Sequence, residues 1–136
     1  MIEVRLPWPD KGLLPNARLE RYAHAELVKR HRFVAKIETL VQINASGVQK
    51  NLAGCALAID WTFHPPDKRW RDYDGMISAG KAYQDGIFDA LGLNDHLVTS
   101  GGFHVLEMVK DGLYIVRIRP VSDIINLTDE NLTYIE

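Results

Sequence analysis

The hydrophobic period of this chain switches from that of a strand to that of a helix on either side of residues 65–75, PPDKRWRDYDG, and no other feature restricts its fold as much. Just before that run, CALAIDWTF alternates, so Leu57, Ile59, Trp61 and Phe63 share one face of a predicted strand. Pro65 and Pro66 end it. From about Asp74 to Leu91, Met76, Ala79, Gly80, Tyr83, Ile87, Ala90 and Leu91 recur at helical spacing, and Gly92 is a natural stop. On the other face of that predicted helix Asp74, Ser78, Lys81 and Asp85 stack along one line.

The flanking segments extend the alternation of element types. IEVRLP, residues 2–7, reads as a short strand halted by Pro7 and Pro9, followed by a DKGLLPN loop in which Asn16 is a candidate helix cap. A helix is expected from about Arg18 to Val41, with Leu19, Tyr22, Ala23, Leu27, Val34, Ile37 and Val41 as its apolar face. NASGVQKNLAG then reads as a loop. Two final strands, about 103–110 and 113–119, are expected to pair as a hairpin across Asp111-Gly112. Gly101-Gly102 reads as a turn. The resulting expectation is an α/β single domain of order β-α-β-α-β-β, a mixed β-sheet packed with two long helices. It covers residues 1–120, and 121–136 form an acidic tail of uncertain structure.

A chain of 136 residues is long enough to build a core without disulfide staples, and lone Cys55 reads as a small core residue. No apolar stretch reaches membrane-spanning length and MIEVRLPWP lacks a signal-peptide pattern, so the chain reads as cytoplasmic, without a membrane partner. In that setting the Asn126 and Asn131 glycosylation patterns carry no meaning. With a formal net charge of −2, any polyanion must be held by clustered charge. One cluster is a stripe along the first helix: Arg18, Arg21, Lys29, Arg32 and Lys36. A solvated face and a phosphate-tracking face both fit that stripe.

The charged run itself alternates Asp67, Asp72 and Asp74 with Lys68, Arg69 and Arg71, and carries Trp70 and Tyr73. Carboxylates suit a hard cation such as Mg²⁺ or Mn²⁺, and an Asp-x-Asp pair ahead of a helix with Asp95 beyond it can converge on one ion. The plainer alternative stands beside it, with Asp72 or Asp74 capping the helix and Asp95 in a turn. The five histidines show no zinc spacing, and no GxSxG or Walker pattern occurs.

LPWP, LLPNAR, FHPPDKRWRDYDG and KAYQDGIFDALGLND together resemble the RusA-like endodeoxyribonucleases, Holliday junction resolvases of phages and prophages, over residues 3–118. The resemblance implies a homodimer that cuts branched DNA, four-way junctions above all, with Mg²⁺ or Mn²⁺. Its metal ligands would be Asp72, Asp74 and Asp95, and its catalytic lysine Lys81. Lys68, Arg69 and Arg71 would meet phosphate beside the metal. Two positions depart from the family pattern. Gly75 stands where Asn is common, and Ser78 stands where some members carry the lysine, with Lys81 one helical turn further on. Trp61, Trp70, Tyr73 and Tyr83 fit either the monomer core or the aromatic surface of a dimer interface, and Trp70 or Tyr73 is also a candidate to stack on an exposed base. A rival expectation is a non-catalytic junction- or fork-DNA-binding protein retaining the same fold.

Overall fold

The computed structural model describes residues 1–46, 52 and 54–121. Along these the chain forms β1 (Ile2–Leu6), α1 (Arg21–Ser46), β2 (Leu57–His64), α2 (Tyr73–Ala79), α3 (Lys81–Leu91), β3 (Val98–Val105) and β4 (Leu113–Pro120). Short 3₁₀ turns lie at Lys11–Leu13 and Asp95–Leu97. The strands make one mixed sheet of order β1-β4-β2-β3, with β4 antiparallel to both neighbours and β3 parallel to β2. The domain is thus mixed α/β, with three helices among the described residues. None of those helices is long and apolar enough to cross a membrane.

Strand alternation decides which face is buried. Val4, Val116 and Trp61 stand side by side in register, and Leu6, Tyr114 and Phe63 form the next rank. All six are buried, in one core with Tyr83, Ile87 and Leu91 of α3. The expected face of β2 is therefore correct. On the reverse face Arg117 bonds Glu3 at 2.8 Å and Thr62 Oγ1 at 3.2 Å, while Arg119 bonds Asp60 at 3.0 Å. Cys55 packs partly buried against the core.

Three expectations need correction. First, Asp111 and Gly112 do form a tight left-handed turn, with φ of 66° and 75°. It does not join a hairpin, because β2 lies between β3 and β4. β4 gains more by burying Tyr114, Val116 and Ile118 between β1 and β2 than by pairing with its sequence neighbour. Gly101-Gly102 lies within β3, not in a turn. At Gly101, φ is 147° and a Cβ would sit 1.9 Å from the Ile59 carbonyl oxygen, so only glycine lets β3 draw this close to β2.

Second, α1 begins at Arg21, and Asn16 does not cap it; Glu20 accepts the Tyr22 N–H at 3.2 Å instead. Its buried positions include Leu27, Ala35 and Thr39, whereas Leu19, Tyr22, Val34, Ile37 and Val41 of the expected core face are exposed. The reason is close packing on α3. A Cβ at Gly86 would lie 2.0 Å from the Arg32 carbonyl oxygen and 3.0 Å from Ala35 Cβ. The two helices meet backbone to backbone, which selects small side chains over bulky ones.

Third, the expected second helix is broken at Gly80, which ends α2 and begins α3 with φ −88° and ψ −2°. Trp61 lies directly over this glycine, 2.7 Å from where a Cβ would be. Gly92 closes α3 in the left-handed conformation, as expected. Trp61 and Tyr83, offered for an interface, are core residues instead. Most of the expected 44–54 loop lies outside the described residues. So do the acidic tail beyond Val121 and both Asn-x-Thr patterns.

Candidate functional site

The charged run after β2 is braced by its own side chains. Asp67 accepts the Arg69 N–H at 2.9 Å and pairs with the Arg71 guanidinium at 2.9 Å. The Arg69 N–H bond, with Arg71 adding to it, holds the Asp67 carboxyl below its usual pKa. Arg71 also donates to the Arg69 carbonyl at 3.0 Å and lies 5.2 Å over the Trp8 ring. Arg71 is thus a brace of the loop, occupied on several sides, while Lys68 and Arg69 are exposed.

This braced loop forms one wall of a cleft of about 640 Å³. Asp67, Arg69, Asp72 and Asp74 line it from one side, and Trp8, Asp10 and Lys11 face them from the segment after β1. Two buried phenols hold the walls in place. Tyr83 Oη donates to the Pro7 carbonyl at 2.7 Å, and Tyr114 Oη donates to the Met76 carbonyl at 2.8 Å. Burial raises both phenol pKa values. His31 completes the frame. Its Nδ1 lies 2.8 Å from the Leu27 carbonyl and its Nε2 accepts the Asp10 N–H at 3.1 Å, a pairing that suits the neutral ring protonated at Nδ1.

Asp72 is the N-cap residue of α2 by backbone, yet its side chain makes no capping bond. Asp74 accepts the N–H of Gly75 at 3.0 Å. Both carboxylates are exposed within the cleft. Asp95 lies apart from them: its carboxylate receives Lys81 Nζ at 3.1 Å, and the same ammonium bonds Asp85 at 3.0 Å. The Asp85 bond, joined by that of Asp95, raises the Lys81 pKa. Asp72 and Asp74 are therefore brought together, and Asp95 is brought to Lys81. Among the described residues no three His, Cys, Asp or Glu side chains are grouped so as to hold a metal ion.

The basic stripe is divided too. Arg32 is spent on α3, bonding Asp89 through Nε at 2.5 Å and Nη2 at 2.8 Å. Arg18, Arg21, Lys29 and Lys36 remain exposed. Trp8, Asp10 and Lys11 were missed as cleft residues. Trp8 lies in LPWP, and Asp10 and Lys11 follow it ahead of LLPNAR; their place opposite the charged run depends on the Tyr83 and His31 tethers.

An uncharacterized protein of Xylella fastidiosa (strain Temecula1 / ATCC 700964) is 36% identical to this chain over 122 residues, covering 90% of this chain and 78% of that protein. The chain belongs to that protein's family. No protein-family model matches it.

Proposed function

We propose that this chain is a RusA-like endodeoxyribonuclease, with the β-α-β-α-β-β plan of that family and its second helix interrupted at Gly80, that resolves four-way DNA junctions with Mg²⁺ or Mn²⁺. One observation carries the reading: the exposed carboxylates of Asp72 and Asp74 share a cleft with Lys11 and Arg69, so oxygen donors for a cation and cations for phosphate sit together. Magnesium is commonly held by one or two carboxylates, its other positions filled by water and phosphate oxygens, so this donor set fits without a closed cage of protein ligands. When bound, the ion supplies an acidified water and charge neutralisation at the scissile phosphate.

The chain's own groups do the rest. Asp72 and Asp74 hold the ion; Lys11, Lys68 and Arg69 orient the phosphates around it. The resemblance makes Asp95 a third ligand; here its carboxylate anchors Lys81, whose ammonium offsets charge on the phosphate in the transition state. Exposed Arg18, Arg21, Lys29 and Lys36 track the DNA backbone, with Arg71 acting from behind as the brace of the loop. A homodimer supplies two such clefts for the two symmetry-related phosphates of a junction. The setting proposed for this reaction is the cytoplasm.

A second reading, a non-catalytic junction- or fork-binding protein, is favoured by the engagement of Asp95 with Lys81. Incubation with four-way junction, flap and duplex DNA, with and without Mg²⁺ or Mn²⁺, separates the two. Metal-dependent junction cleavage that Asp72→Asn abolishes supports the nuclease. Tight binding with no cleavage in either metal supports the binder.

A further inference from the structure

Trp70 is 89% exposed, the most open large apolar side chain among the described residues. A loose loop does not account for this. The backbone just before it is pinned at Arg69, whose N–H bonds Asp67 and whose carbonyl accepts from Arg71, and the Arg71 side chain after it is itself tied to Asp67. A braced loop therefore presents a bare indole to water, two residues ahead of Asp72. Trp70 also borders a second groove, shared with Asp72, Tyr73 and Asp74. There the Tyr73 ring lies flat on Phe103, 4.8 Å between centroids and 5° between planes, and both rings are partly exposed.

The neighbours of the indole select its occupant. Lys68 and Arg69 precede it and are exposed, so a ligand reaching Trp70 passes two cations, which favours a polyanion over a neutral apolar segment. A planar group attached to a polyanion is a nucleobase. In a fully paired duplex both faces of each internal base are already stacked. Only a base freed at a branch or in a single strand gains by meeting an aromatic side chain. We propose that Trp70 is the stacking platform for an unpaired DNA base next to the phosphate held in the cleft. It is thereby the residue that distinguishes branched or single-stranded DNA from continuous duplex. The proposal takes its ligand from the DNA-cleavage reading above and adds the contact that sets its selectivity.

The test uses the full chain in EDTA, so that binding is read without cutting, and four-way junctions carrying 2-aminopurine unpaired at the branch. Wild type, Trp70→Ala and Trp70→Phe are titrated against this probe and against a continuous duplex. Trp70 is solvent-exposed, so its removal leaves the core intact. The expected result is quenching of 2-aminopurine by wild type and a loss of roughly tenfold or more in junction affinity for Trp70→Ala. Duplex affinity should hold within about twofold, and Trp70→Phe should restore most of the loss. A Trp70→Ala protein that quenches and discriminates like wild type overturns the proposal. The same proteins are then assayed with Mn²⁺. Trp70-dependent quenching without cleavage by wild type removes the nuclease reading and leaves the platform standing. Cleavage whose junction preference is unchanged in Trp70→Ala removes the platform and leaves the nuclease.

Discussion

Individual atoms at the back of the cleft decide how firmly its walls are held. Tyr114 bonds the Met76 carbonyl and Tyr83 bonds the Pro7 carbonyl, and burial pushes both phenol pKa values above their ordinary 10.0. Because the fold keeps the phenols neutral, the unfolded chain ionises first. Their contribution is thus complete below about pH 10 and is lost as pH rises above it. Tyr114→Phe leaves the Met76 carbonyl without this donor and should cost about 1–2 kcal/mol at neutral pH. It should also flatten the alkaline loss of stability, measured as thermal midpoints from about pH 8 to about pH 11. Gly86→Ala sets a Cβ 2.0 Å from the Arg32 carbonyl oxygen, a clash with backbone that no rotamer relieves. It should destabilise by about 1–3 kcal/mol in denaturant titration despite alanine's better helix propensity. Of the site, Asp72 and Asp74 were legible because they are sequence neighbours on a helix start. Trp8 and Lys11 were not, since they reach the cleft through tertiary tethers that leave no periodic trace.

Among the elements, legibility followed one-sided burial. β2 and α3 each bury a continuous apolar face, so alternation and helical spacing located them. α1 misled because its contact with α3 is chosen by closeness at Gly86, and its larger apolar side chains were left outside. β4 misled because a local turn signal says where a chain reverses and nothing about which strand it then joins. The same contact between α1 and α3 engages Arg32, a candidate phosphate contact, in a clasp on Asp89. The Arg32 bond lowers the Asp89 pKa, so the clasp is whole above about pH 4 and weakens as pH falls through the depressed value. Both side chains are partly solvated, and Arg32→Gln should cost only about 0.2–1 kcal/mol of stability. It should leave the salt dependence of DNA binding unchanged. Replacing Lys29 and Lys36 together with Gln should do the reverse, holding the thermal midpoint while flattening the log–log salt slope by about one unit per lost contact. Fluorescence anisotropy across a salt series, run beside thermal melts, separates the clasp from the phosphate trackers.

For the whole molecule, the two edges of the sheet are unequal. The β1 edge carries Glu3 and Arg5 and stops at Pro7, features that discourage a further strand. The β3 edge reads VTSGGFHV, with no acidic, lysine, arginine or proline residue, and pairs on one side only among the described residues. Phe103, Val105, Leu106 and Met108 are exposed along and just past it. An edge so unprotected suits a second copy. Pairing β3 with its own copy about a two-fold normal to the sheet keeps both helical layers on one side. Both charged loops then flank the seam, since Val105 lines the groove of Trp70 and Asp72. The proposed homodimer should therefore sediment as a dimer at micromolar concentration. Gly102→Lys tests where it joins. Nothing lies within 4 Å of a Cβ at that position, so the monomer fold should be preserved. A two-fold near the middle of the strand would set the new lysine against its own copy, and like charges directly opposed destabilise a strand pair. The variant should shift to monomer with an unaltered thermal midpoint in dilute solution, and should nick junctions on one strand instead of resolving them. A wild-type chain that stays monomeric with junction DNA bound would remove paired cutting altogether, whereas a Gly102→Lys dimer as tight as wild type would move the interface off β3.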